Sequence, residues 1–299
     1  MQKSLFVSRA LVSFLILFTA ATGVAQTGVS DNRVSLPEGS GGVDGFADNA
    51  QVSGNQGAMS FSVTIQTPNG TGGVTPNIGL SYSSNGGNGL AGMGWSFGLP
   101  SIERSSAKGL AQYNDNDRFV ENGSSELVFV GDAGQHREYR ARYEGSFNRY
   151  RWHNSGDGKE GYWTMESAGG LIAYYGASSD GTLAPQSRMG RSDIGTFKFH
   201  VREVVDAFGN KAVYSYVPAD DMVDGSTRLI SQIDYTFDRQ GENPRYSVRF
   251  TYEDRDDVMS DCKAGYCELM AKRLKTISVF SVGTEIRTYE LAYEELAGQ

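Results

Sequence analysis

Among its 299 residues the chain has only two cysteines, three histidines, three tryptophans and seven prolines. Zinc sites usually draw three or four N/S ligands at short spacings, so two Cys and three His make such a centre unexpected. Basic residues are also sparse. Lys plus Arg number 27 against 35 Asp plus Glu, a net of −8, and they form no sustained basic run. A nucleic-acid groove or an anionic-membrane patch is therefore not expected. Glycine is plentiful: 38 residues, about 13% against a usual ~7%. Such an excess belongs in turns, and many turns mean many short elements. A hydrophobic fraction of 39% with 11% aromatics supplies a core, which excludes disorder, collagen and coiled coil as overall descriptions.

The first residues read as an export signal. Lys3 and Arg9 are basic, Ala10 to Val24 is apolar, and Gly23-Val24-Ala25 offers small residues for cleavage, so the mature chain is expected to begin at Gln26. The apolar run is shorter than the ~20 residues that cross a bilayer, and no second one follows, so no stable membrane span is expected. Removing Lys3 and Arg9 leaves 27 − 2 = 25 basic against 35 acidic residues, a net of −10. Export would permit a disulfide between Cys262 and Cys267. It would close the loop Lys263-Ala264-Gly265-Tyr266 as a staple contributing roughly 2 kcal/mol.

Residues 26–57 are rich in Gly, Ser, Asn and Asp without a sustained period and read as an extended leader. Residues 58–299 read as one β domain. Met59, Phe61, Val63 and Ile65 alternate with polar residues, Pro68-Asn69-Gly70 breaks the run, and Ile78, Leu80 and Tyr82 resume it, which predicts a hairpin. Short runs then recur between polar turns up to Leu171–Tyr175, and longer ones follow from Phe197–Val205 to Glu285–Tyr293. Asn122-Gly123, Phe208-Gly209-Asn210 and Val282-Gly283 are tight turns that favour antiparallel hairpins. Tyr214 with Tyr216, Phe250 with Tyr252, and Tyr289 with Tyr293 share a face at even spacing, predicting an aromatic layer. Cys267–Leu274 is the best helical candidate, good for a turn or two. The fold class expected is all-β.

Several motifs invite catalytic readings. Gly87-Asn88-Gly89-Leu90-Ala91-Gly92 fits G-x-G-x-x-G, but no helix follows to receive a pyrophosphate, so no cofactor is expected. Gly94-Trp95-Ser96-Phe97-Gly98 fits G-x-S-x-G, the nucleophile elbow of serine hydrolases, with His136, His153 and His200 downstream. Pro100 again denies the helix, and Trp95 and Phe97 flanking small Ser96 make an equally good buried strand. The acidic runs Asn114–Asp117, Asp220-Asp221 and Glu253–Asp257 lack EF-hand spacing and read as solvated turns.

The block Gly72 to Ser84 (GGVTPNIGLSYSS), followed by Gly87 to Arg104 (GNGLAGMGWSFGLPSIER), resembles the N-terminal domain of the SpvB family. That family includes the Salmonella virulence-plasmid 65 kDa B protein and the B components of Tc insecticidal toxin complexes. Leu36-Pro37 and Tyr113-Asn114-Asp115-Asn116-Asp117-Arg118-Phe119 agree with it, and the likeness is strongest over 36–131. Asp206-Ala207-Phe208-Gly209-Asn210 with Tyr214 and Tyr216, and Arg273-Leu274 leading to Arg287–Leu291, look like Rhs/YD-type hairpins of the same large proteins.

The resemblance implies strands of a hollow β-shell that encloses a toxic polypeptide, with any ADP-ribosylating activity in a separate C-terminal domain. The export signal implies a secreted, extracellular location, while family members are also found in the cytoplasm before release. The partners that the resemblance implies are other parts of a toxin assembly or a downstream continuation of the shell, the chain reading as a fragment or one part of a split product. No enzyme activity is then expected, and Gly89, Gly92, Gly94, Trp95, Phe97 and Pro100 are the structural residues singled out. The rival readings are an adhesin-like module binding carbohydrate or protein through exposed Tyr and Trp, and a hydrolase using Ser96.

Overall fold

A computed structural model describes residues 51–52, 57–154, 158–220 and 224–294. Segment 1–25, read as an export signal, and the expected leader up to residue 50 lie outside the described residues. Strand follows strand, as the alternating pattern and the glycine turns require. β1 (Gln51–Val52), at the end of the leader, pairs antiparallel with β2 (Met59–Thr64), which pairs with β3 (Gly79–Ser83). β4 (Asn88–Gly89) and β5 (Gly92–Met93) form a miniature hairpin of their own. β6 (Trp95–Phe97) then returns to β3, completing a four-stranded sheet in the order β1-β2-β3-β6.

The larger sheet begins with β7 (Ser101–Arg104), β8 (Phe119–Glu121), β9 (Ser125–Ala133), β10 (His136–Ala141), β11 (Arg149–Asn154), β12 (Gly161–Glu166) and β13 (Ile172–Tyr175), each antiparallel to the last. β14 (Arg188–Arg191) makes a short hairpin with β15 (Gly195–Val205). β15 closes the ring. Its Val201–Val205 segment pairs with β13, and Lys198–His200 pairs with β7. An eight-stranded ring is just wide enough for side chains to fill, and here the filling is aromatic. Trp152 and Trp163 are direct cross-strand partners with rings 5.2 Å apart, Phe119 lies 4.8 Å from Trp163, and Phe199 lies 5.3 Å from Trp152. Each such pair contributes about 0.5–1.5 kcal/mol beyond its buried area.

From the far half of β15 a ribbon leaves the barrel: β16 (Lys211–Pro218), β17 (Arg228–Phe237), β18 (Pro244–Asp261), β19 (Glu268–Ser281) and β20 (Thr284–Glu290). The small sheet packs on this ribbon. Ile65, Ile78 and Leu80 share one core with Val248, Leu274 and Ile277, and the Phe97 ring lies 5.5 Å from Phe250. Tyr214, Tyr216 and Phe250 are buried in that layer, with Tyr252, Tyr289 and Tyr293 half-buried.

Two expectations need correction. Cys267–Leu274 is not helical. Glu268 onward is strand β19, because pairing with β18 outweighs the helix preference of Glu, Leu, Met, Ala, Lys and Arg. Glu253–Asp257 is not a turn but the middle of β18. β17 accompanies β18 only as far as Arg249 and β20 reaches back along β19 only to Thr276, so the distal halves of β18 and β19 run on as a two-stranded arm.

Candidate functional site

The glycine-rich block sits where small sheet, ribbon and arm meet. Gly94 has φ +75°, and a Cβ there would lie 2.6 Å from Cε2 of Tyr82. Gly92 has φ +95° and would place a Cβ 3.0 Å from Tyr293. Both positions therefore favour glycine for their backbone, and Gly94 for space as well. Trp95 packs against Phe61 and Tyr82 at 6.1 and 5.4 Å, and the Pro100 carbonyl accepts the Val201 N–H at 3.1 Å.

One arginine on the arm holds this block. Between Asp254 and Met259 the register of β18 slips against β19, a bulge that turns Arg255 inward. Its guanidinium donates to the Gly89 carbonyl at 2.9 Å, to Asn88 Oδ1 at 2.7 Å, and through a fork to both oxygens of Asp257 at 2.8 Å. Asn88 Nδ2 donates to the same carboxylate at 2.6 Å. The hydrogen bonds from Arg255 and then Asn88 hold the Asp257 carboxyl well below the usual range. The Leu274 N–H also donates to the Leu90 carbonyl.

A second arginine organises the barrel mouth. Arg104, buried at the end of β7, donates to Asp117 at 2.6 Å and to the carbonyls of Thr196 and Gly158 at 2.8 and 2.6 Å. Asp117 also accepts the backbone N–H groups of Gln112, Tyr113 and Asn114, so one carboxylate shapes the whole loop. The Tyr113 and Phe119 rings lie 5.0 and 5.3 Å from the guanidinium.

The arm tip reaches that loop. Cys262 and Cys267 are bonded, and Ala264 between them is fully buried beside Tyr113, Met189 and Phe197. The Tyr113 hydroxyl donates to the Ala264 carbonyl at 2.6 Å, and burial pushes that phenol up to about 12. Thr227 donates to Glu268 at 2.6 Å, and the Arg191 guanidinium lies 5.6 Å from the Tyr266 ring. Between arm and barrel runs an open cleft of about 590 Å³, lined among others by Glu103, Lys198, His200, Asp261 and Lys263. Lys198 pairs there with Glu103 at 2.8 Å and Lys263 with Asp261 at 3.0 Å.

The residues of the catalytic readings are dispersed. Asn88–Met93 is a hairpin rather than a helix start. Ser96 lies mid-strand with its hydroxyl 2.7 Å from that of Ser81. His153 stacks on Tyr162 at 4.4 Å and contacts Thr164 Oγ1 at 3.0 Å, burial and then His136 lowering it to about 4. His200 stacks near Tyr216. Asp117 and Asp257 are committed to arginines, Glu253 accepts from Arg273 at 2.7 Å, and Asp221 lies outside the described residues. Trp152 and Trp163 are buried and Trp95 half-buried; of the exposed rings, Tyr143, Phe147 and Phe208 stand on turns or loops and Phe129 on β9. No sequence motif marks Arg104 or Arg255. The available signal was a lone arginine inside the acidic run 253–257 and another ending the Gly87–Arg104 block.

A closed barrel with an attached ribbon, and a glycine-rich hairpin clamped to the ribbon's arm by Arg255, is a distinctive combination. Residues 53–274 match the family model described as SpvB: Salmonella virulence plasmid 65kDa B protein. The chain belongs to the SpvB family. The mono(ADP-ribosyl)transferase SpvB of Salmonella choleraesuis strain SC-B67 is 29% identical over 177 residues, covering 52% of this chain and 29% of the relative. The chain thus spans less than a third of such relatives. Among solved structures, the N-terminal domain of the effector SpvB from Salmonella typhimurium strain LT2 superposes with a TM-score of 0.62 at 21% identity, covering 78% of this chain and 99% of that one. The crystal structure of TcdB2-TccC3 superposes with a TM-score of 0.66 at 18% identity, over 78% of this chain and 14% of that one. The SpvB fold is therefore shared with Tc toxin β-shell proteins. Among the described residues no helix is long and apolar enough to cross a membrane.

Proposed function

We propose that this SpvB-family chain is an exported, non-enzymatic wall module of a Tc-type toxin assembly, acting in toxin encapsulation, secretion or virulence. The observation that carries the reading is the continuity of one sheet from the closed ring through β15 into the ribbon. The ring is packed with rings of its own side chains, so it serves as a rigid post rather than a container. The ribbon supplies wall, and among the described residues β20 pairs only with β19, leaving one edge open to a further strand. Its partners are other parts of such an assembly or a continuation of the same strands.

The commitment of Asp117 and Asp257 to buried arginines, and of Ser96 to Ser81, supports a role without chemistry. The ADP-ribosylating activity named for its relatives belongs, in this reading, to parts of those proteins that these residues do not match. The test is direct: incubate the purified chain with labelled NAD and candidate protein acceptors, and separately with a fluorophosphonate probe. No label above background is expected in either. Label transfer, or probe labelling that disappears in Ser96→Ala, contradicts the reading.

A further inference from the structure

We propose that Cys262–Cys267 is a site of thiol–disulfide exchange whose oxidation state sets whether the arm is docked on the barrel. Both cysteines are exposed, whereas what they frame is not: Ala264 is fully buried and Tyr266 half-buried against the barrel. A disulfide between exposed residues, joined to a buried docking surface, is the arrangement an exchange-controlled latch needs.

The arm has little else to hold it. Past Arg249 it loses β17, and past Thr251 it also loses β20, as a third strand, and an isolated two-stranded hairpin is marginal in water. Beyond its root, where the Tyr252 hydroxyl donates to the Ile230 carbonyl and the Leu274 N–H to that of Leu90, its anchors are the Arg255 clamp, the Thr227–Glu268 hydrogen bond and the tip itself. At the tip the contact is a backbone carbonyl, that of Ala264, so its direction depends on the shape of the small ring that the disulfide closes. Opening that ring frees the backbone of the four intervening residues and withdraws the acceptor from Tyr113.

The consequence reaches beyond the tip through atoms in contact. Tyr113 donates its backbone N–H to Asp117, and Asp117 pairs with Arg104, which in turn holds the carbonyls of Thr196 and Gly158. The cleft between arm and barrel is bounded by the tip residues Asp261, Lys263 and Glu268, so undocking widens it.

The step balances with a dithiol as co-reactant. One thiolate of the dithiol attacks an exposed sulfur and releases the other as a thiolate, and the second thiol of the dithiol resolves the mixed disulfide. The dithiol is oxidised to its disulfide, and two electrons and two protons pass to Cys262 and Cys267.

The experiment treats the native full chain with dithiothreitol without denaturant, verifies reduction by alkylation and mass, and follows amide hydrogen exchange by peptide. On reduction, exchange is expected to rise roughly tenfold or more in the peptide holding the amides of Gln112, Tyr113 and Asn114, about 150 residues from the thiols, with the barrel strands β10–β12 unchanged. Tyr113→Phe in the oxidised chain should raise exchange in the same peptide. Full reduction with changes confined to 261–268 overturns the proposal, leaving a local staple. A uniform rise across all strands overturns it too, as does failure of the native chain to react. A Cys262→Ser/Cys267→Ser variant should match the reduced chain; if it does not fold, reduction of the parent still decides.

Discussion

The hydroxyl of Tyr113 donates to the carbonyl of Ala264 at 2.6 Å, joining a barrel-mouth loop to the tip of an arm 151 residues away. Arm, loop and barrel thereby form a closed circuit of contacts, and its other fixed points are two arginines. Removing the hydroxyl isolates one link. Tyr113→Phe should lose about 1 kcal/mol of stability, the net worth of a buried hydrogen bond, in urea unfolding followed by fluorescence. A change within error would mean that the contact contributes nothing.

The two arginines should differ in consequence. Arg104→Met leaves Asp117 buried and unpaired, a change that typically costs about 3–5 kcal/mol. Adding Asp117→Asn should restore part of that loss, since it removes the stranded charge. Arg255→Met should cost less, roughly 2 kcal/mol, because the Asp257 side chain stays 59% exposed. Equal losses for both single variants, with no rescue in the Arg104→Met/Asp117→Asn chain, would refute this ordering.

Gly94→Val should lower stability by about 2 kcal/mol or more. The valine would need φ near +75° and would press on the Tyr82 ring. Gly87→Val, where a Cβ meets nothing within 4 Å, is the control and should be far milder. Comparable melting points for the two variants would contradict the assignment of the glycine-rich block.

The pH response of Glu121 has a defined sign. Burial raises its carboxyl above the usual range, while the Tyr150 hydroxyl, donating at 2.8 Å, opposes the shift. The folded chain then binds more protons than the unfolded one between the ordinary carboxylate value of ~4.3 and the raised one. Stability from this group therefore falls as pH climbs through that window. Glu121→Gln keeps an acceptor for Tyr150 and should melt higher than the parent at pH 7.5, the gap closing at pH 4. A gap independent of pH would count against burial as the cause.

Much of the strand pattern was legible locally. Residues 59–65 and 78–82 alternate cleanly, and Asn122-Gly123, Phe208–Asn210 and Val282-Gly283 each join neighbouring strands. Ring closure was not, because Lys198 meets Glu103 and Val201 meets Tyr175 through pairings that no local period encodes. The stretch after Cys267 misled because its residues favour helix in isolation, and only β18 alongside makes it strand. Arg255 was hidden by the carboxylates around it: composition suggested solvent, while a bulge turned the one cation inward.

The reading as an exported wall module is tested most directly by isolating the native protein from its producing cells and their culture fluid. Intact mass and sizing under native conditions should find a chain beginning at Gln26, in the exported fraction, migrating within a particle much larger than its own mass. A chain that retains Met1, stays inside the cell and migrates alone at its own mass of 32.4 kDa would contradict it.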